Sequence, residues 1–298
     1  MNLMETMTTF GHEKVLFVNN EKAGLKAIIA VHNTVLGPAI GGCRLWPYAS
    51  EEDALFDVMR LSRGMSHKNA AAGLKFGGGK AVIIADPSQK TEAMFEAFGE
   101  AVNNLGGDYI TAEDVNTTCD DALIMLRKTN HICGLPQNSG DPSPFTARGV
   151  WQGIRATAKV ALGADSLEGL TIAVQGLGKV GYDLCRLLHE SGAKLIIANR
   201  SNKAMAEKAA EEFGAGIVPT EQIYAQQCDI FSPNAMGAII NPTTIAQLQC
   251  KAVAGGANNQ ILDDASGIAL KQKGIFYAPD FVINGGGVIN AAAEVDGP

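Results

Sequence analysis

Residues 170–193, LTIAVQGLGKVGYDLCRLLHESGA, decide the fold. Thr171 to Gln175 is a short apolar run with the pattern of a buried strand. Gly176, Gly178 and Gly181 follow at G-x-G-x-x-G spacing. Val180, Leu184, Leu187 and Leu188 then recur on one helical face until Gly192 stops the helix, and Lys194 to Ala198 reads as the next strand. Glycine-rich turns are common, so the spacing alone is a weak signal. Between a strand and an amphipathic helix it predicts a dinucleotide site. The first glycine makes the turn, the second lets a pyrophosphate approach, and the third allows close helix–strand packing. The helix opens with Lys179 and Val180, and its N-terminal amides and dipole face the phosphates.

The end of the second strand distinguishes NAD from NADP. An acid there binds the ribose diol of NAD, but this chain has Asn199-Arg200-Ser201. A guanidinium and a hydroxyl suit a 2′-phosphate that an acid would repel, and Lys203 adds nearby charge. On these grounds NADP is favoured over NAD. In the plainer alternative this is a solvated loop, Asn199 bonds the diol, and NAD is used.

Outward from this unit, further short strands at 229–232, 252–254 and 275–277 alternate with helical patterns, which predicts a doubly wound parallel sheet. A polar, Gly/Pro-rich segment, 137–144, reads as a domain connection, followed by a helix over 146–161. The first half also alternates strands and helices. Residues 23–33 and 38–45 read as strands, the second broken at Gly41-Gly42. Ser50 reads as the cap of a helix leading towards Lys68, the apolar run 81–85 is a strand, and 108–112 is another. Thr117 with Asp120 reads as a further helix cap. The expected class is α/β in two domains: an N-terminal α/β substrate and oligomerisation domain over 1–136, and a Rossmann domain over 137–284. Residues 285–298 are expected to return to the cleft.

Composition narrows the function. The 298 residues are 46% hydrophobic and 18% charged, as in a globular enzyme, and a net charge of −7 disfavours nucleic acid as a partner. No apolar stretch has membrane-span length, and the N-terminus lacks the apolar region of a signal peptide. Six scattered cysteines and five histidines show no metal-ligand spacing, so no metal is expected and a cytoplasmic location with reduced thiols is.

The chemistry gathers in Gly64–Pro87, GMSHKNAAAGLKFGGGKAVIIADP. Lys68, Lys75 and Lys80 stand among small residues and a triple glycine read as a loop, and Glu113-Asp114 end a nearby strand. Singly, Lys68 could be a helix-end lysine, Lys75 a solvated one, Lys80 a strand edge and Asp114 a cap. Together they suggest a site for a small carboxylate.

These segments resemble the glutamate, leucine, phenylalanine and valine dehydrogenase family, and its leucine branch most. The resemblance runs through GPAIGGCRLWPY (37–48), the lysine segment (60–87), YITAEDVNTT (109–118), GDPSPFTARGV (140–150), VQGLGKVG (174–181), VAGGANNQI (253–261) and APDFVINGGGVIN (278–290). It implies that Lys68 binds the substrate α-carboxylate with Gly41 and Asn258, that Lys80 activates water, and that Asp114 is the acid/base for the amino group. Ser143 and Thr146 would orient the nicotinamide. The implied reaction is reversible oxidative deamination of an L-amino acid to a 2-oxo acid and ammonium by a homo-oligomer, with the cleft between domains closing to exclude water. Where glutamate-specific relatives carry a lysine, this chain has Ile40, and Ala112, Val288 and Ala291 complete an apolar pocket that could not pair a distal carboxylate. A leucine-type substrate is favoured. The small Ala291 leaves phenylalanine- and tryptophan-type substrates as the alternative, and a shikimate-dehydrogenase-like NADP enzyme is a remoter one. The chain stops at Pro298, where members of the resembled family continue with further helices.

Overall fold

The computed structural model describes residues 3–138, 140–200 and 202–296. They fall into two compact units, one reaching Pro142 and resuming at Val288, the other spanning Ser143–Gly287.

The first unit opens with α1 (Leu3–Phe10), β1 (Lys14–Asn20) and β2 (Leu25–Asn33), an antiparallel pair. β1 is not among the strands expected from the sequence. Next come β3 (Ala39–Ile40) and β4 (Cys43–Trp46), the two halves of the broken strand read at Gly41-Gly42. They lie in succession along β5 (Gly77–Ile84), both parallel to it, while β2 pairs antiparallel with β5's other edge. β6 (Tyr109–Ile110) extends the sheet beyond β3. Helix α2 (Glu51–Ala71) is capped by Ser50, whose hydroxyl accepts from Asp53 N–H, and buries Leu55, Val58, Met59 and Ser62.

The triple glycine is not a loop: Gly77, Gly78 and Gly79 are the first residues of β5. Low strand propensity hides them, and packing explains them. A Cβ on Gly77 would lie 1.8 Å from Asn33 O, one on Gly78 2.2 Å from Ser66 N, and one on Gly79 2.5 Å from the Tyr109 ring. Glycine lets α2 and β2 close onto this end of the strand.

Helix α3 (Glu92–Asn103) covers one face of the sheet with α4 (Cys119–Leu126). The α4 cap lies one residue later than expected, because Thr118 and Asp121 form the reciprocal capping box. Thr117 instead accepts the N–H of Asp114 and donates to Cys43 O.

The second unit runs α5 (Ser143–Thr157), β7 (Thr171–Gln175), α6 (Lys179–Glu190), β8 (Lys194–Ala198), α7 (Lys203–Phe213), β9 (Gly216–Ile217), β10 (Ile230–Pro233), α8 (Pro242–Gln247), β11 (Ala252–Val253), α9 (Asp264–Gln272), β12 (Phe276–Tyr277) and α10 (Asp280–Ile283). Its sheet has the order β12-β11-β10-β7-β8-β9 and every pairing is parallel. The order reverses beside β7, the topology of a doubly wound nucleotide-binding domain. Core side chains lie on both faces, around Ile172 and Val174 on one and Ala173 and Phe231 on the other. The last helix, α11 (Gly286–Asp296), re-enters the first unit from Val288. Among the described residues no helix is long and apolar enough to cross a membrane.

Candidate active site

Two elements of the first unit bring the reacting groups together. Lys80, in β5, is 4% exposed. Its Nζ lies 2.8 Å from Oδ2 of Asp114, which stands in the turn after β6. That turn is tied to β4: Asn116 takes a left-handed φ of 59°, a conformation asparagine tolerates, and its Nδ2 donates to Leu45 O. Thr117 N–H closes the turn on Asp114 O at 3.0 Å.

Asp114 has a second cation that the sequence reading missed. Arg44 Nε donates to the same Oδ2 at 3.4 Å, and Arg44 Nη1 pairs with Asp57 Oδ2 at 2.9 Å. Tyr48 donates its hydroxyl to that Asp57 oxygen at 2.6 Å. Arg44 lies in the quoted GPAIGGCRLWPY segment. An arginine two residues after Gly41-Gly42, inside a strand otherwise apolar, was the available signal. Burial alone would raise the Asp114 carboxyl, but the Lys80 and Arg44 cations outweigh it and hold the group well below the usual carboxylate range. Asp114 is therefore an anion at rest. Arg44 and Lys80 are balanced by Asp57 and Asp114, which lets four charged groups share a partly buried site.

Lys68 is buried on the last turn of α2. Ser66, two residues before it, packs on Gly78, two residues before Lys80, so the glycine contact ties the two lysines' elements together. Asn69, its neighbour, donates Nδ2 to Gly77 O at 2.5 Å. Lys75 is exposed. Gly41 donates its N–H to Ile110 O and accepts the Tyr109 hydroxyl at 2.5 Å; a Cβ there would lie 1.9 Å from Gly79 O. Behind these groups Ile40, Phe76, Ile110, Cys133 and Ala292 form a buried apolar cluster, with Leu74, Ala112, Val288 and Ala291 packed against it. Four of these positions were expected to line a pocket. Leu74, Phe76 and Cys133 reach it from other parts of the sequence. Glu294 fixes α11 here by accepting from Gly134 N–H and Asn138 Nδ2, both at 2.8 Å.

The second unit holds the glycine turn. Gly176 has φ of 90°, and Gly181 is so close to it that a Cβ would lie 2.0 Å from Gly176 O. Gly178 is the N-cap of α6, makes no side-chain cap, and has open space where a Cβ would stand. Uncapped helix amides beside open space fit a pyrophosphate. Lys179 is exposed, and Val180 packs against the core. Asn234, which the sequence reading also missed, follows β10 and accepts Gly256 N–H at 2.8 Å beside Gly181. At the end of β8, Asn199 accepts Leu177 N–H at 3.2 Å and donates to Asn202 O at 2.9 Å, while Arg200 is exposed. Ser201 lies outside the described residues. Ser143 and Thr146 are in the first turn of α5, and Asn258 Oδ1 accepts from Asn284 Nδ2 at 2.9 Å. Among the described residues no group of three His, Cys, Asp or Glu side chains could hold a metal ion.

A buried lysine–carboxylate pair and a separate dinucleotide turn define an oxidoreductase that handles protons as well as hydride. Comparison with known sequences makes this specific. Residues 12–131 match the family described as Glu/Leu/Phe/Val dehydrogenase, dimerisation domain, and residues 195–297 match Glutamate/Leucine/Phenylalanine/Valine dehydrogenase. The chain is 54% identical over 301 residues to leucine dehydrogenase of Geobacillus stearothermophilus, covering 100% of this chain and 82% of the relative. It is 47% identical over 308 residues to phenylalanine dehydrogenase of Bacillus thermotolerans, covering 99% and 81%. The crystal structure of L-tryptophan dehydrogenase from Nostoc punctiforme superposes with a TM-score of 0.77 at 44% identity, covering 99% of this chain and 85% of that one. The chain belongs to the Glu/Leu/Phe/Val dehydrogenase family. It is an amino-acid dehydrogenase, an NAD(P)-dependent oxidoreductase, and the shikimate-dehydrogenase-like reading falls away.

Proposed function

We propose that the chain deaminates an apolar L-amino acid, with leucine and other branched-chain substrates preferred, to the 2-oxo acid and ammonium. The observation that carries this reading is the 2.8 Å Lys80–Asp114 pair in the unit that also buries Ile40 among apolar side chains. Lys68 binds the α-carboxylate as a fixed cation, with Gly41 shaping the backbone below it and Asn258 as a further polar contact. The substrate side chain lies toward Ile40, Ala112, Val288 and Ala291. That lining offers no partner for a second carboxylate, whose desolvation would be unfavourable.

When bound, the nicotinamide dinucleotide accepts the hydride from the substrate α-carbon. Asp114 takes the proton of the substrate ammonium and later returns one to the leaving ammonia. While both cations sit on its Oδ2 it is a weak base. Engagement of Lys80 with water relieves that hold, and Arg44 alone then keeps the carboxylate oriented. Lys80, after releasing its own ammonium proton to solvent, takes the proton of the water that adds to the imine carbon. Ser143 and Thr146 orient the nicotinamide end. Gly176, Gly178, Lys179, Val180 and Gly181 receive the pyrophosphate.

For the adenosine end we favour NADP(H) over NAD(H). No carboxylate ends β8, Arg200 supplies an exposed cation, and both ends of the Asn199 amide are engaged in holding the loop. A homo-oligomer is supported by the family description of the first half as a dimerisation domain. A cytoplasmic location is supported by six free thiols. A second substrate reading, an aromatic amino acid, has one observation in its favour: the small Ala291 beside Ile40.

A rate panel tests these points together, pairing ammonium with 4-methyl-2-oxopentanoate, 3-methyl-2-oxobutanoate, phenylpyruvate, indolepyruvate and 2-oxoglutarate, each with NADPH and NADH. Fastest turnover of the branched aliphatic acids with NADPH is expected. Turnover of none of the apolar acids overturns the substrate reading, and a strong NADH preference overturns the cofactor reading.

A further inference from the structure

Outside the reacting site, the second unit holds two cysteines side by side. Cys228 and Cys250 each stand two residues before a strand of one parallel pair, in which Ile230 is the partner of Ala252. The pairing extends backwards to a bridge between Gln227 and Gln249. Cys228 is therefore the register partner of Cys250. Neighbouring strands hold such partners roughly 4.8 Å apart, within the separation of roughly 4.4–6.8 Å that a disulfide spans. Both thiols are free and half-buried. They pack at the edge of the core cluster around Ile223, Ile245 and Leu248.

We propose that Cys228 and Cys250 are a reversible oxidation site, closed into an intrachain disulfide by a hydroperoxide. Their roles differ. The neighbouring Cys228 thiol holds the Cys250 thiol below its ordinary value against the opposing effect of burial, and the charge of Lys273 acts in the same direction. The Cys250 thiolate attacks a peroxide oxygen, and the O–O bond breaks. That leaves a sulfenic acid on Cys250 and releases hydroxide, which is protonated to water. The Cys228 sulfur then attacks the Cys250 sulfur. An S–S bond forms, the S–O bond breaks, and the departing hydroxide takes the Cys228 proton. Two thiols lose two electrons, and one hydrogen peroxide becomes two waters.

Two features of the fold shape the consequence. Facing Cβ atoms on parallel strands stand farther apart than the roughly 3.8 Å a relaxed disulfide prefers, so the closed form is strained and easily reduced. The pair also lies at the N-terminal ends of β10 and β11, whereas the glycine turn lies at the carboxyl end of β7 in the same parallel sheet. Closure braces the sheet at the end away from the dinucleotide. The other cysteines are differently placed. Cys133 and Cys185 are buried, and burial pushes each thiol up to about 12. Cys43 is fully buried, and burial raises its thiol well above the ordinary value. Cys119 donates to Glu113 Oε2 at 3.4 Å.

The test treats the folded full chain with hydrogen peroxide, then alkylates and maps peptides by mass spectrometry. The expected product is a cross-linked Cys228–Cys250 peptide pair, lighter by two hydrogens and restored by dithiothreitol, with turnover essentially unchanged. In Cys228→Ser, Cys250 should be trapped as a dimedone adduct. In Cys250→Ser, Cys228 should remain a thiol under the same exposure. Absence of the cross-link, oxidation of the two sulfurs separately to sulfinic acids, or equal dimedone labelling of Cys228 in Cys250→Ser overturns the proposal. None of these readouts depends on the substrate or cofactor reading.

Discussion

Alanine placed at Gly178 and at Gly181 should separate two roles that one motif combines. At Gly181 the added Cβ would lie 2.0 Å from Gly176 O and 3.0 Å from its carbonyl carbon. Ordinary contact begins at 3.4 Å, so the turn and α6 must part by more than an ångström, and both atoms of the obstacle are backbone. Gly181→Ala should therefore damage the fold itself, at a cost of about 1–3 kcal/mol typical of overpacking. Gly178 is the opposite case. Its φ of −75° and ψ of −168° suit alanine, and nothing stands within 4 Å of the new methyl. Reduced unfolded-state entropy gains about 0.4–1 kcal/mol, and the weaker N-cap loses a similar amount. The melting temperature should hence move by no more than about 2–4 °C. The methyl does occupy the approach to the uncapped amides. Losing one charge-assisted hydrogen bond of about 1.5–3 kcal/mol weakens dinucleotide binding by roughly 10- to 150-fold. Thermal melts and NAD(P)H binding by fluorescence titration, without substrate, measure both quantities. If Gly178→Ala melts like the parent and also binds dinucleotide like the parent, the pyrophosphate does not rest on α6 and the site assignment is wrong.

Three further outcomes are expected. Lys80→Ala should abolish turnover while NAD(P)H binding stays near the parent value, because Lys80 lies in the other unit's sheet; normal turnover would refute its role. Asp114→Asn leaves Arg44 and Lys80 buried without their shared anion, a loss of about 3–5 kcal/mol at neutral pH for a broken buried pair. The native carboxyl is held low, so its contribution is present above the unfolded value and fades as pH falls; the stability gap between parent and variant must narrow on acidification, and a constant gap in denaturant melts would contradict this. His12 is lowered to about 4, first by burial and then by His32, so it stays neutral in the fold while the unfolded chain takes a proton from about pH 6.5 downward. His12→Gln should flatten the loss of stability between about pH 6.5 and 4, and an unchanged slope would exclude His12 as its source.

Most of the second unit was legible because its determinants are local. Strand β7, the three glycines and α6 are adjacent in sequence, and each residue's task can be named from its neighbours. The first unit was harder, since its site is assembled from segments that meet only in the sheet. Gly77–Gly79 look like a loop when read along the chain. Only the approach of Asn33, Ser66 and Tyr109 explains glycine inside a strand. The apolar cluster around Ile40 shows the same limit. Ala112, Val288 and Ala291 could be placed by resemblance, whereas Phe76 and Cys133 converge by topology. The α4 cap fell one residue away because Thr117 and Thr118 are chemically alike. Which hydroxyl caps the helix depends on Cys43, seventy-four residues before Thr117.

Arg44 is the residue whose absence from the sequence reading changes the chemistry most. A lysine–aspartate pair alone would let Asp114 lose its only cation whenever Lys80 turns to water, and a carboxyl in this partly buried turn would then tend to hold a proton. Arg44 removes that dependence. Its Nε stays on Asp114 Oδ2 while Nη1 is fixed by Asp57, which Tyr48 holds in turn. The guanidinium remains charged throughout the working pH range and its fork fixes direction as well as charge, which a flexible ammonium would not. Asp114 can therefore exchange protons with the substrate nitrogen without its resting state depending on Lys80. The two groups of the pair are free to act at different moments of one turnover because a third group, rigid and never deprotonated, keeps the carboxylate in place between them.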